Sequence, residues 1–135
     1  EAMVMQYIPA YACIRGEGIR GTVRFCPQGH GVRIEAEILG LPEGFHGFHI
    51  HSGGSCEDAQ GHFAPYGELH PDHAGDLPPL LSCDGRACMT VWTGRLRLRD
   101  IIGRTVVIHE RRDDFTSQPS GDPGSMIACG VIRCK

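Results

Sequence analysis

Several large classes of protein are excluded by what this sequence lacks. It has no basic excess: 13 Lys and Arg stand against 16 Asp and Glu, a net charge of −3. The basic stripe that tracks a phosphate backbone is therefore missing, which argues against a nucleic-acid partner. No apolar run approaches the roughly 20 residues that cross a bilayer as a helix, so no membrane partner is expected. No secretory leader is recognisable. The first residue is Glu1, and Met3 or Met5 is a natural start if the preceding residues are a remnant. A cytoplasmic location is expected for such a start and an extracytoplasmic one otherwise. No sustained 3.6-residue period, internal repeat or compositional break divides the chain. With 135 residues, 41% apolar and 21% charged, one domain over 1–135 with one hydrophobic core is expected.

Cysteine is plentiful at seven, an odd number, so at least one thiol is free or pairs outside the chain. That is more than a typical cytosolic protein carries, and too few for a chain of this length stapled by disulfides alone. Gly at 19 and Pro at 9 punctuate short apolar runs, the pattern of many turns and short strands. "AYACIRGEGIRGTVRF" (10–25) reads as two strands joined at Gly16-Glu17-Gly18. "GVRIEAEILGL" (31–41) alternates Val32, Ile34, Ala36 and Ile38 with charged neighbours, a half-buried strand. "FHGFHIH" is expected to be the next strand. "PPLLSCDGRACMTVW" (78–92) is a hairpin turning at Asp84-Gly85. "RLRLRDIIGRTVVIHE" (95–110) ends in a strand, and "MIACGVIRC" is the last one. Residues 52–79 and 111–125 show no strand or helix pattern, and structureless stretches of that length are usually functional. The expectation is all-β: an eight-stranded Greek-key β-sandwich or barrel with two long functional loops.

Eight histidines are present, and most cluster. In "GFHIH", strand alternation sends His49 and His51 to one face and Phe48 and Ile50 to the other. The apolar pair can fill a core while both imidazoles lie under a loop. The loop segment "HFAPYGELHPDHAGD" adds His62, His70, His73 and Asp76, the last three at intervals of three. Three nitrogens and a carboxylate are the four ligands a tetrahedral Zn²⁺ prefers. His109 ends another strand and can meet His49 and His51 across a sheet.

Taken in order, "GFHIH", "HFAP", "HAGD", "IIGRTVVIHE" and "IACGVI" resemble the copper/zinc superoxide dismutase family over about residues 10–132. The resemblance implies superoxide as substrate, Cu and Zn as cofactors, and a monomer or homodimer. It implies His49, His51, His62 and His109 as copper ligands and His62, His70, His73 and Asp76 as zinc ligands. His62 would be shared, bridging both ions and acting as the catalytic acid. His46 matches a histidine that bonds backbone beside the copper strand, and Asp113 matches a carboxylate that bridges a copper and a zinc histidine. Cys56 and Cys129 match a disulfide. His30 has no counterpart and reads as a surface turn residue. Cys13, Cys26, Cys83, Cys88 and Cys134 have no role in the resemblance. Cys83 with Cys88, and Cys13 with Cys134, are possible neighbours, and free thiols packed as small apolar groups are an equal alternative.

The sequence departs from the family in three places. The interval from His70 to His73 is short, the loop from Glu110 to Ser125 is short, and Met126 stands where an arginine usually flanks the copper channel. Nitrogen ligands suit both Cu(II) and Zn, so a dismutase with reduced steering of its anionic substrate is expected. A protein that binds or buffers copper with little turnover is the alternative, and a sandwich with purely structural ions is a third reading.

Overall fold

The computed structural model describes residues 8–114 and 116–134, so Met3 and Met5 lie outside the described residues. Strands β1 (Ala10–Gly16), β2 (Ile19–Gln28) and β3 (Gly31–Leu39) form an antiparallel meander. β4 (Gly44–His46) and β5 (Phe48–His51) follow, then β6 (Leu80–Ser82), β7 (Arg86–Thr93), a single helical turn α1 (Leu98–Ile101), β8 (Thr105–His109) and β9 (Met126–Cys134). Seven strands make one sheet in the order β5-β8-β9-β1-β2-β3-β7, and β4 and β6 pair separately. β4 runs directly into β5, and β6 is tied to β7 by a tight turn. The small ladder thus links by chain the two strands that terminate the large sheet, and the whole is a curled antiparallel barrel.

Among the described residues nine strands replace the expected eight, because "FHGFHIH" is not continuous. Gly47 interrupts it: its N–H donates to the Arg111 carbonyl at 2.9 Å, and its own carbonyl accepts the His109 N–H at 2.9 Å. β4 is thereby freed to pair with β6 while β5 pairs with β8. The hairpins fall where the glycines required them. β1 and β2 close through Glu17-Gly18, one residue tighter than expected, with Gly16 paired to Ile19. Asp84 and Gly85 both take positive φ (54° and 74°), the combination that matches the twist of a two-residue hairpin.

Alternation fills the core. Ile14, Val23, Phe25, Ile34, Ile38, Phe48, Ile50, Ile108 and Ile132 are all fully buried, each worth roughly 1.5–3 kcal/mol relative to exposure. Because Phe48, Ile50 and Ile108 point inward, the residues between them point out of the barrel. There the long connections 52–79 and 110–125 cover them.

Candidate metal centre

β5 is buried on both faces: Phe48 and Ile50 against the core, His49 and His51 beneath the first long loop. That loop returns along the unpaired side of β5. Phe63 N–H donates to Ile50 O (2.8 Å), Ile50 N–H to Gly75 O (2.9 Å), and Leu77 N–H to Phe48 O (3.2 Å). These bonds set His62 opposite His51 and Asp76 opposite His49. Gly75 permits the approach, since a Cβ there would run into the Ile50 carbonyl and press on Phe63. β8 delivers His109 through a register shift after Ile108: Ile108 faces Ala128, His109 faces Met126, and Ile127 is left unpaired. A bulge of this kind re-aims the side chain beside it.

Two four-residue groups result. His49, His51, His62 and His109 form one, and His62, His70, His73 and Asp76 the other, with ligand-type atoms within 4.8 Å of one another in each. His62 belongs to both. Its ring stacks on His49 at 3.9 Å between centroids and lies 5.1 Å from His73. Its side chain is only 2% exposed.

Hydrogen bonds fix which nitrogen each ring can offer. His49 Nε2 donates to Asp113 Oδ2 (2.5 Å), His51 Nδ1 to Gln60 O (2.6 Å), and His109 Nδ1 to Gly124 O (3.0 Å). The nitrogens left over are His49 Nδ1, His51 Nε2 and His109 Nε2, and each is buried with no hydrogen-bond partner, as is His62 Nε2. Four orphaned nitrogens in one place are costly unless something binds them. In the second group, His70 Nε2 donates to Asp114 O (2.8 Å), leaving Nδ1 to face the group. There His62 Nδ1 lies 3.2 Å from His73 Nδ1, His70 Nδ1 3.3 Å and His73 Nδ1 3.0 Å from Asp76 Oδ2, and His62 Nδ1 2.6 Å from Asp76 Oδ1. A tetrahedral centre with ligands at about 2.0–2.1 Å requires ligand spacings of about 3.3 Å. The donor set fits zinc, three of these spacings lie at 3.0 to 3.3 Å while the His62–Asp76 one is shorter, and the four free imidazole nitrogens fit copper.

Burial favours the neutral form a metal requires in three rings of the first group, His49, His51 and His109. It pushes His51 down to about 3, against the Gln60 bond that favours the charged form, and His109 down to about 4, against the Gly124 bond. His49 is lowered for the same reason despite Asp113. Burial alone would raise Asp76, but the His62 hydrogen bond and the three surrounding histidines outweigh it and hold the carboxyl below its usual range.

The neighbouring residues sort as follows. His46 is buried, its Nδ1 2.9 Å from the His109 carbonyl and its Nε2 2.7 Å from that of Pro42, so it ties the β4 turn to the end of β8. Asp113 is expected to bridge two histidines. It bonds His49 directly but stands 3.8 Å from His70 Nε2, beyond hydrogen-bond reach, because Asp114 O has taken that donor. Gly47 makes room for Asp113: a Cβ there would collide with Asp113 Oδ1. Cys56 and Cys129 form a disulfide with Cα atoms 6.0 Å apart, anchoring the first loop to β9. The other five cysteines are free. Cys83 and Cys88 do not pair, since the hairpin turn between them has two residues rather than four. Cys134 faces Ala10 rather than Cys13. His30 is exposed at the barrel end, edge-on to Trp92 at 4.9 Å. Met126 begins β9 and is 39% exposed.

Residues that sequence reasoning did not single out also shape the site. Glu68 accepts from Tyr66 N–H (2.6 Å) and Ala74 N–H (3.2 Å), spanning the short loop that carries His70 and His73. Gln118 binds the backbone of His70. Gln60 takes a left-handed φ of 63° that accompanies its carbonyl's bond to His51. Only contact information could have revealed them, because a lone Glu or Gln in a polar loop carries no pattern.

A β-barrel with two ion-binding groups sharing one imidazole defines a bimetallic class of protein. Within it, the family model described as copper/zinc superoxide dismutase (SODC) matches residues 19–132. A Superoxide dismutase [Cu-Zn] A of Xenopus laevis is 37% identical, covering 93% of this chain and 97% of the relative. A Superoxide dismutase [Cu-Zn] of Onchocerca volvulus is 33% identical over 91% and 94%, and one of Legionella pneumophila 37% identical over 84% and 77%. Among solved structures, one titled a crystal structure analysis of the clock protein EA4 superposes with a TM-score of 0.89 at 32% identity, covering 96% of each chain. The chain belongs to the copper/zinc superoxide dismutase family.

Proposed function

We propose that this protein converts two superoxide anions and two protons into O₂ and hydrogen peroxide. In this reading His49, His51, His62 and His109 hold copper, and His62, His70, His73 and Asp76 hold zinc. The observation that carries it is the convergence of four buried, unpartnered imidazole nitrogens, one of them on a ring whose other nitrogen faces the second group. When bound, copper supplies one-electron exchange between its +2 and +1 states, and zinc a fixed positive charge. The chain supplies the rest. Asp113, Gln60 and Gly124 lock the orientation of His49, His51 and His109 through their outer nitrogens, which fixes both tautomer and ring plane. His62 Nε2 is the atom placed to hold a proton and pass it to reduced oxygen, while Nδ1 remains held beside Asp76.

Substrate steering is where this chain is proposed to differ. Met126, opposite His109, provides no charge for an incoming anion. The nearby cations are engaged: Arg111 with Glu110 and Asp122 at 3.3 and 3.4 Å, and Arg112 over the Phe45 ring. Turnover is therefore slower, and less sensitive to salt, than with a free guanidinium beside the copper group. The same residue is the observation that favours the alternative of a copper-binding or buffering protein with little turnover. A superoxide assay on protein loaded with both ions decides between them. Activity lost on copper removal and partly kept on zinc removal supports the enzyme; tight copper binding without turnover supports the buffer. Met126→Arg is expected to raise activity several-fold at low ionic strength and to steepen its decline with salt. Unchanged activity in that variant removes the steering account.

A further inference from the structure

Among the described residues, His70 is the ring of the second group whose backbone as well as side chain is held by the other long loop. Three contacts converge on it. Its N–H donates to Gln118 Oε1 at 3.0 Å, and its carbonyl accepts from Gln118 Nε2 at 2.6 Å. The Gln118 amide thus meets the His70 peptide as a neighbouring strand would, satisfying a donor and an acceptor together. His70 Nε2 donates to the Asp114 carbonyl, which leaves Nδ1 for the group. Gly121 lies flat against the ring, where any Cβ would overlap Nε2. The segment that makes these contacts is itself closed. Asp114 N–H donates to Gly121 O (2.7 Å), Gly121 N–H to Ser117 O (2.9 Å), and the Asp114 carboxylate receives Thr116 and Ser117. The Ser117 hydroxyl and backbone bonds hold that carboxyl down at about 2.

His70 needs this support because the bonds within its own loop, from Tyr66 and Ala74 to Glu68 and from Asp72 N–H to Leu69 O, flank it without holding its own peptide. It lies in a stretch outside every named strand, and the following ligand comes only three residues later. Without a ladder partner, its backbone would sample many orientations, and each would place Nδ1 differently.

We propose that Gln118 is a positioning residue for the second ion site: its side-chain amide fixes the backbone of His70, so that zinc affinity in one loop is set by a residue 48 positions away in the other. This rests on the zinc reading of the second group.

The full chain, first loaded with copper, is titrated with Zn²⁺ against a competing chelator. Gln118→Met keeps the length and bulk of the side chain but neither hydrogen bond, and Gln118→Ala removes both bulk and bonds. Both variants are expected to bind Zn²⁺ about 10- to 100-fold more weakly, with the copper visible spectrum unchanged. Wild-type affinity in Gln118→Met overturns the proposal, since packing alone would then suffice. Independently of folding yield, the His70 amide is expected to be protected from hydrogen exchange in the wild type and to exchange rapidly in Gln118→Met; equal rates overturn it as well. His70→Ala separates the two levels. If it leaves Zn²⁺ uptake unchanged, the zinc reading itself fails, and the clamp with it. If it abolishes uptake while Gln118→Met keeps wild-type affinity, only the clamp fails.

Discussion

The two ion groups are built by opposite means. Three of the four rings in the first stand on β5 and β8, strands that also carry fully buried core residues. Their positions are inherited from the barrel, and a carboxylate or a main-chain carbonyl finishes each one. The second group takes all four of its residues from one polar loop, three of them within seven residues of sequence. Bridges to β5 set His62 and Asp76, but His70 and His73 have no strand partner, and other loop residues brace that stretch: the Glu68 side chain from inside the loop, the Gln118 amide and the Asp114 main-chain carbonyl from outside. A site on strands comes with the fold, whereas a site on a loop has to be braced residue by residue.

The most severe way to test this contrast is His62→Ala, which takes one ligand from each group. The strand-borne site keeps three preset nitrogens, while the loop-borne site keeps three ligands, none of them on a named strand. Zinc affinity is expected to fall by at least about 100-fold and copper affinity by less, measured by sequential chelator competition. Equal losses would mean that strands confer no advantage here. Next in size, Cys56→Ser releases the first loop from β9. The chain-entropy estimate for a closed loop of 73 residues is about 4 kcal/mol, read as a lowered midpoint in urea. Zinc binding should suffer more than copper binding, because Cys56 lies in the zinc-bearing loop.

A smaller effect comes from acid acting on metal-free protein. Burial lowers His51 to about 3 and His109 to about 4, whereas both titrate near 6.5 when unfolded. Between those values the unfolded chain binds more protons than the folded one, so stability falls as pH falls. The contribution is fully present above about pH 6.5 and is lost progressively as pH drops through 4 towards 3. Thermal melts from pH 7.5 to 4 measure it, and His109→Gln should flatten the profile. An unchanged slope would show that His109 is not held neutral by the barrel.

Much of the architecture was legible before any coordinates. Alternation marked β3 and the orientation of His49 and His51, and Asp84-Gly85 marked a hairpin, because these signals are local and repeat with the strand period. The break at Gly47 was not legible: it depends on hydrogen bonds to Arg111 and His109, more than 60 residues away. The short helix α1 is one turn long and too brief to show a period. The two residue groups followed from histidine spacing and from motif resemblance, since ligand types are rare enough to stand out. The braces did not, because Glu68, Gln118 and the Gln60 carbonyl are ordinary polar groups whose significance lies in whom they meet.

The return of the first loop along β5 has one more consequence. β5 terminates the seven-stranded sheet, and an uncovered terminal strand is a template on which another chain can add. Residues 63, 75 and 77 occupy those backbone groups, so the segment that supplies ligands also serves as a guard against self-assembly. Reducing the Cys56–Cys129 disulfide removes the one covalent tie between this loop and β9, and the cover over β5 then rests on those hydrogen bonds alone.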